Sequence, residues 1–147
     1  MENAEGKMRY KIRRKSGRRN ASPEFHLQVQ VVSWLRLQYP QCLFTISPAS
    51  IQNPRYAKKM KLMGYRRGTP DLLILEPRGE FKGLFVELKY NKAGRNEEQI
   101  LFRDMLNQRG YAAVECVGYD CAQKTIELYL KGQYWQTADH CSRAGYC

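Results

Sequence analysis

Three polar residues stand where a polar side chain is costly. Asp71 heads the run Asp71-Leu72-Leu73-Ile74-Leu75, and Glu87 and Lys89 interrupt the apolar run Leu84-Phe85-Val86-Glu87-Leu88-Lys89 two positions apart. Alternation along an extended strand puts Phe85, Glu87 and Lys89 on one face and Leu84, Val86 and Leu88 on the other. A buried, unpaired carboxylate is expensive, so this placement asks for a compensating partner. A hard divalent cation is one such partner. Asp71 and Glu87 offer the oxygen ligands that Mg²⁺ prefers, and Mn²⁺ is expected to substitute. Lys89 could then reach an attacked phosphate or the attacking water without ligating the metal. The competing reading is structural: a Glu87–Lys89 ion pair at a sheet edge, with Asp71 capping a turn. Glu24 weighs against it, because a carboxylate at the start of the first helix can approach a strand end as a third ligand. No other acid lies between Glu24 and Asp71, whereas Arg36, Arg55, Lys58, Lys59, Lys61, Arg66 and Arg67 occupy that interval.

The surrounding charge fits a polyanionic partner. Lys and Arg number 25 against 14 Asp and Glu, a formal charge of +11 over 147 residues. Positive charge of this size steers association with nucleic acid and displaces counterions from phosphates. Much of it is concentrated near the start: residues 1–20 carry eight basic and two acidic side chains, which leaves +5 on the rest. That segment has no core-forming apolar run and reads as a basic arm awaiting a phosphate backbone. A solubilising or nuclear-targeting arm is the plainer alternative, and the two are compatible. Arg13, Arg14, Lys15, Arg18 and Arg19 of the arm, with Lys58, Lys59, Lys61, Arg66 and Arg67 of the body, are the candidate nucleic-acid contacts. No stretch reaches the length of a membrane span, and the first residues lack the apolar run of a signal peptide. The five cysteines, Cys42, Cys116, Cys121, Cys141 and Cys147, are odd in number and not closely paired. That suits a reducing intracellular compartment, including a host nucleus, better than a disulfide framework. His140, Cys141 and Cys147 could join Cys121 around zinc, but their spacing matches no compact zinc knuckle.

The length allows one hydrophobic core and not two. Ser22 as N-cap, Pro23 at the first helical position and Glu24 in the first turn open a helix. Leu27, Val31 and Leu35 form its apolar stripe, widened by Val32 and Trp34, and Pro40 ends it. Cys42 to Ile46 reads as a strand, and a basic helix follows Asn53-Pro54 and stops at Gly64. Two strands, Asp71 to Leu75 and Leu84 to Tyr90, are joined through Pro77 and Gly79. A helix over Glu97 to Arg109 is capped by Asn96, with Gln99 completing a capping box and Gly110 supplying the exit. Ala112 to Val117 is a strand and Cys121 to Leu130 a final helix, with an irregular Cys-containing tail after Gly132. The order predicts an α/β fold: a mixed central sheet flanked by helices, in a single body spanning 21–131 between the arm (1–20) and the tail (132–147). Architecture of this kind does not by itself define an activity.

From Ser22 to Leu130 the chain resembles a VRR-NUC domain, a branch of the PD-(D/E)xK nuclease superfamily with a restriction-endonuclease-like fold. Pro70-Asp71 matches the Pro-Asp element and Glu87-Leu88-Lys89 the Glu-x-Lys element, while Gln99 takes the place of the Gln on the following helix. Glu24, four residues before Gln28, resembles the first-helix acid, and Gly64-Tyr65-Arg66-Arg67-Gly68 and Gly110-Tyr111 also fit. The basic arm and the Cys-containing tail depart from the pattern. The resemblance implies divalent-metal-dependent hydrolysis of DNA phosphodiester bonds, with Glu24, Asp71, Glu87 and the Leu88 carbonyl as metal ligands. Lys89 and Gln99 would complete the catalytic set. The size resembles small stand-alone viral and phage members, which implies a homodimer that resolves branched DNA such as Holliday junctions. A flap or nicking nuclease is the alternative within the family. Outside it stand a non-catalytic nucleic-acid-binding module and a protein that condenses nucleic acid by charge alone.

Overall fold

The computed structural model describes residues 22–48, 54–92, 94 and 96–134. The basic arm and its Arg13, Arg14, Lys15, Arg18 and Arg19 lie outside the described residues, as do His140, Cys141 and Cys147. The chain runs α1 (Pro23–Gln38), β1 (Phe44–Ile46), α2 (Pro54–Leu62), β2 (Leu72–Ile74), β3 (Leu84–Lys89), α3 (Glu97–Gln108), β4 (Ala112–Val117) and α4 (Tyr119–Leu130). The strands form one sheet in the order β1-β2-β3-β4. The first two pairings are antiparallel and β3–β4 is parallel, so the sheet is mixed as expected. A parallel pair needs a crossover, and α3 provides it.

The apolar pattern explains the layers. Leu27, Val31 and Leu35 recur at helical spacing on α1 and are buried together with Ile126 and Tyr129 of α4. They share that core with Leu72, Ile74, Leu84, Val86 and Leu88 of the sheet. On β3 the alternate residues turn to the opposite face. There Phe85 meets Tyr111 edge-on at 5.3 Å, and α3 anchors the adjoining strand through Asn107. The Asn107 amide accepts from the Ala113 N–H at 2.9 Å and donates to its carbonyl at 3.3 Å. At the far end of the core, Glu76 accepts from the Leu43 N–H at 2.8 Å, and the Tyr129 hydroxyl donates to the Glu76 carbonyl at 2.6 Å.

Several boundaries differ from those expected. β1 starts at Phe44, because the N–H of Cys42 is used in a turn to Tyr39 O and that of Leu43 goes to Glu76. α4 starts at Tyr119, two residues early, directly after Gly118 at φ 81°. The order continues past Gly132 to Tyr134, which packs edge-on against Phe81 at 5.4 Å. Ser22 caps α1 as its sequence suggests, its hydroxyl accepting from the Phe25 N–H at 3.2 Å.

Candidate active site

β2 and β3 bring the two strand carboxylates together. Their antiparallel register pairs Leu72 with Val86, so Asp71, one step beyond β2, falls beside Glu87 and Leu88. Asp71 Oδ2 accepts from the Leu88 N–H at 2.9 Å. In an extended residue the N–H and C=O leave on the same edge of the strand, so the Leu88 carbonyl also faces Asp71. Lys89 Nζ stands 3.1 Å from Glu87 Oε1 and donates to Gln99 Oε1 at 2.9 Å. The Gln99 amide nitrogen donates to the same Glu87 oxygen in a short hydrogen bond.

Gln99 therefore does not complete a capping box. Asn96 caps α3 alone, accepting from the Glu98 N–H at 2.9 Å, while the Gln99 side chain crosses to β3 and bridges Glu87 and Lys89. At the third position of a helix, Gln can reach back to its own cap or across to a neighbour, and the buried charges of β3 win. A charge-assisted hydrogen bond in a desolvated site is worth more than an exposed cap contact.

The electrostatics show a shortage of positive charge. The Glu87 side chain is 9% exposed, and its Oε2 is buried without a hydrogen-bond partner. Burial, then Asp71, pushes its pKa up to about 7 against the pull of Lys89, with Glu115 adding to the rise. Asp71 is also raised, by burial first and by Glu24 last, against the pull of the Leu88 N–H and Lys89. Two carboxylates thus share a low-dielectric site with one ammonium, which leaves room for a further cation. The donors are hard oxygens of the kind Mg²⁺ takes, so the residues fit a divalent ion. Glu24 lies on the exposed first turn of α1, within electrostatic reach of Asp71. It is not drawn into a closed cage, for among the described residues no three His, Cys, Asp or Glu side chains are grouped to hold a metal. The structure thus gathers Asp71, Glu87, Lys89, Gln99 and the Leu88 backbone, and leaves Glu24 at the margin.

The proposed phosphate contacts are divided. Lys58, Lys59 and Lys61 project from α2 as exposed residues. Arg66 instead lies over the Phe102 ring at 5.7 Å and Arg67 pairs with Glu98 at 3.2 Å, so both are held against α3. Glu115 was not among the expected residues. It sits opposite Glu87 in the β3–β4 register and lines, with Glu87, Gln99 and Arg103, a void of about 10 Å³. Its signal was the one that marked Glu87: an acid interrupting an apolar strand, Ala112-Ala113-Val114-Glu115-Cys116-Val117.

An Asp at one strand mouth thus stands beside a Glu-x-Lys on the next strand, under a helix that supplies a Gln. The chain belongs to the VRR-NUC domain family, whose sequence profile matches residues 4–120. The match starts inside the basic arm and ends as α4 begins. A solved structure described as a "VRR_NUC domain protein" is 29% identical, with a TM-score of 0.63 over 76% of this chain and 90% of that chain. A second, described as "VRR_NUC domain", is 22% identical, with a TM-score of 0.49 over 74% of this chain and 99% of that one. No curated protein matches the chain. The family is one of nucleases that are generally divalent-metal-dependent.

Proposed function

We propose that the protein is a Mg²⁺-dependent DNA endonuclease that works on branched DNA as a symmetric homodimer, with Asp71, Glu87, Lys89 and Gln99 at its centre. The observation that carries the reading is the Glu87 carboxylate: deeply buried, fixed through Oε1 by Lys89 and Gln99, and unpartnered at Oε2. Asp71, Glu87 and the Leu88 carbonyl would hold the cation, with Glu24 approaching from α1. A bound Mg²⁺ supplies Lewis-acid polarisation of the phosphate and lowers the pKa of a ligated water. Lys89, kept in place by Gln99, sets a positive charge where the attacked phosphate gains negative charge. Asp71 accepts from the Leu88 N–H, a hydrogen bond that ties it to the strand carrying Glu87.

The dimer reading rests on substrate symmetry. Resolving a four-way junction takes two cuts in opposed strands, and two copies about a two-fold axis supply them. The Leu27, Val31 and Leu35 stripe of α1 is buried in the chain's own core, as is the apolar side of α4. On α1 this leaves the outer side, where Phe25 is 53% and Val29 45% exposed, to supply a contact, and the exposed part of α4 is the other choice. Residues 21–131 form the nuclease body in this reading, with the basic arm and the Cys-containing tail as appendages.

Purified protein incubated with Mg²⁺ should cut junction or flap DNA, and EDTA should stop it. Asp71→Ala should lower the rate at least about 100-fold while retaining binding, since even the outer partners of a metal site are typically worth 10–100-fold. The mass in solution should be twice 17.2 kDa, and mixed wild-type and Asp71→Ala chains should leave junctions nicked on one strand. A monomer that prefers flaps would replace the resolvase reading with that of a flap nuclease. Metal-independent binding without cleavage by any preparation would leave a nucleic-acid-binding module.

A further inference from the structure

A cavity of about 630 Å³ lies beside this centre, between α2 and the start of α3. Lys58 and Lys61, one turn apart on α2, line one side with Tyr65, and Arg67, Glu98 and Gln99 line the other. Gln99 belongs to both places: it borders the cavity, and its amide bridges Glu87 and Lys89. The floor, Gly68 and Thr69, leads within two residues to Asp71. A strand whose phosphate reaches the centre therefore brings an adjoining nucleotide to the cavity.

The walls are fixed by contacts that a loosely held loop would lack. A Cβ on Gly68 would lie 2.3 Å from the Glu98 carbonyl oxygen, so the loop rests flush on the first turn of α3. The Arg67–Glu98 pair and the stacking of Arg66 on Phe102 join the same two segments. Among apolar residues, the lining combines three cations with one carboxylate that Arg67 already neutralises, plus an aromatic ring and the two amides of Asn96 and Gln99. Those are the parts that recognise an unpaired nucleotide: charges for its phosphate, a ring for its base and an amide for its edge. The volume falls in the range of pockets that enclose small ligands, and walls on two sides suit a single strand better than a duplex.

We propose that this cavity binds an unpaired nucleotide of the DNA strand next to the scissile phosphate, with the base stacked on Tyr65 and the phosphate held by Lys58 and Lys61. The proposal rests on the nuclease reading above and narrows it to DNA that carries a splayed or single-stranded nucleotide at the cut.

The test replaces that nucleotide's base. Full-length protein is assayed with Mg²⁺ on forked DNA with an intact or an abasic nucleotide beside the cut. Wild type should prefer the intact base in kcat/KM by about tenfold, the effect expected from one base stacked on an aromatic side chain. The preference should vanish in Tyr65→Ala and persist in Tyr65→Phe. A metal-free binding arm uses 2-aminopurine at the same nucleotide, whose fluorescence should be quenched by wild type and Tyr65→Phe. If no preparation cleaves but this quench still requires the ring at 65, the nuclease reading falls and the slot stands. Should Tyr65→Ala fail to fold, the double variant Lys58→Gln, Lys61→Gln decides. It should reduce the salt slope of forked-DNA binding by about 0.7, the value for one neutralised phosphate of a single strand. Equal activity on intact and abasic DNA, or Tyr65→Phe behaving as Tyr65→Ala does, overturns the proposal, and so does an unchanged slope in the double variant.

Discussion

Glu87 is held where its charge weakens the fold that holds it. Its pKa of about 7 lies above the ordinary 4.5, so the metal-free folded state favours the protonated acid. The cost is absent below about pH 4.5, grows as pH rises and is fully present above about pH 7. At about 1.4 kcal/mol per pH unit that interval is worth about 3 kcal/mol. EDTA-treated Glu87→Gln should therefore unfold at a higher denaturant midpoint than wild type at pH 8. The difference, up to about 3 kcal/mol, should shrink towards zero near pH 4.5, and Mg²⁺ should close it by stabilising wild type alone. A gap that ignores both pH and Mg²⁺ would mean that Glu87 is an ordinary structural acid. That Glu87 and Lys89 share one face is legible from their two-residue spacing in an apolar strand, whereas their ion pair at 3.1 Å belongs to the structural alternative. Glu115 carries the same mark, but only the parallel register shows that it stands opposite Glu87.

Elements were legible wherever burial imposes a period. β3 is buried along nearly its whole length, with α1 and α4 against one face and Gln99 of α3 reaching Glu87 and Lys89 on the other, and β4 has both ends that its sequence predicts. Boundaries slipped where a single hydrogen bond decides them, as with the Leu43 N–H that leaves the sheet for Glu76. Gln99 reads as a local cap in sequence because its partners, Glu87 and Lys89, lie on another element, and sequence spacing does not record those contacts. The same dependence on distant placement appears at Gly68, whose φ of +85° and contact with Glu98 both demand glycine. Gly64, at φ +100°, has nothing within 4 Å of its would-be Cβ. Gly64→Ala should cost only backbone strain, about 1 kcal/mol, whereas Gly68→Ala should cost more than about 2 kcal/mol because the clash is with backbone. Denaturant unfolding measures both. Gly68→Ala should also displace α3, so nuclease activity should fall further than stability explains. Equal costs at the two glycines would show that the loop does not rest on α3.

Over the whole molecule, residues 1–20 carry a net charge of +6 and the remainder +5, and the two shares should act on different quantities. The centre at Asp71, Glu87 and Lys89 lies wholly in the body, so chemistry on bound substrate should not need residues 1–20. Those residues carry eight of the 25 basic side chains and two of the 14 acidic ones. Basic side chains bind DNA by displacing counterions, and each phosphate contact steepens the dependence of affinity on salt by about 0.9 on logarithmic axes for duplex DNA. Deleting residues 1–20 should therefore weaken DNA binding at low salt and flatten its salt dependence, by as much as about 7 if all eight charges engage. The turnover rate at saturating substrate should stay within about twofold of the full chain, because a uniformly lost binding contribution raises KM without lowering kcat. The family profile begins at residue 4, inside the arm, which raises the alternative that part of this segment belongs to the nuclease domain itself. The two cases separate cleanly. A loss confined to affinity, erased at high salt where wild type has also lost its advantage, assigns the arm to phosphate binding. A drop in kcat or in the thermal midpoint would mean that the segment packs on the body and that the working domain starts before Ser22.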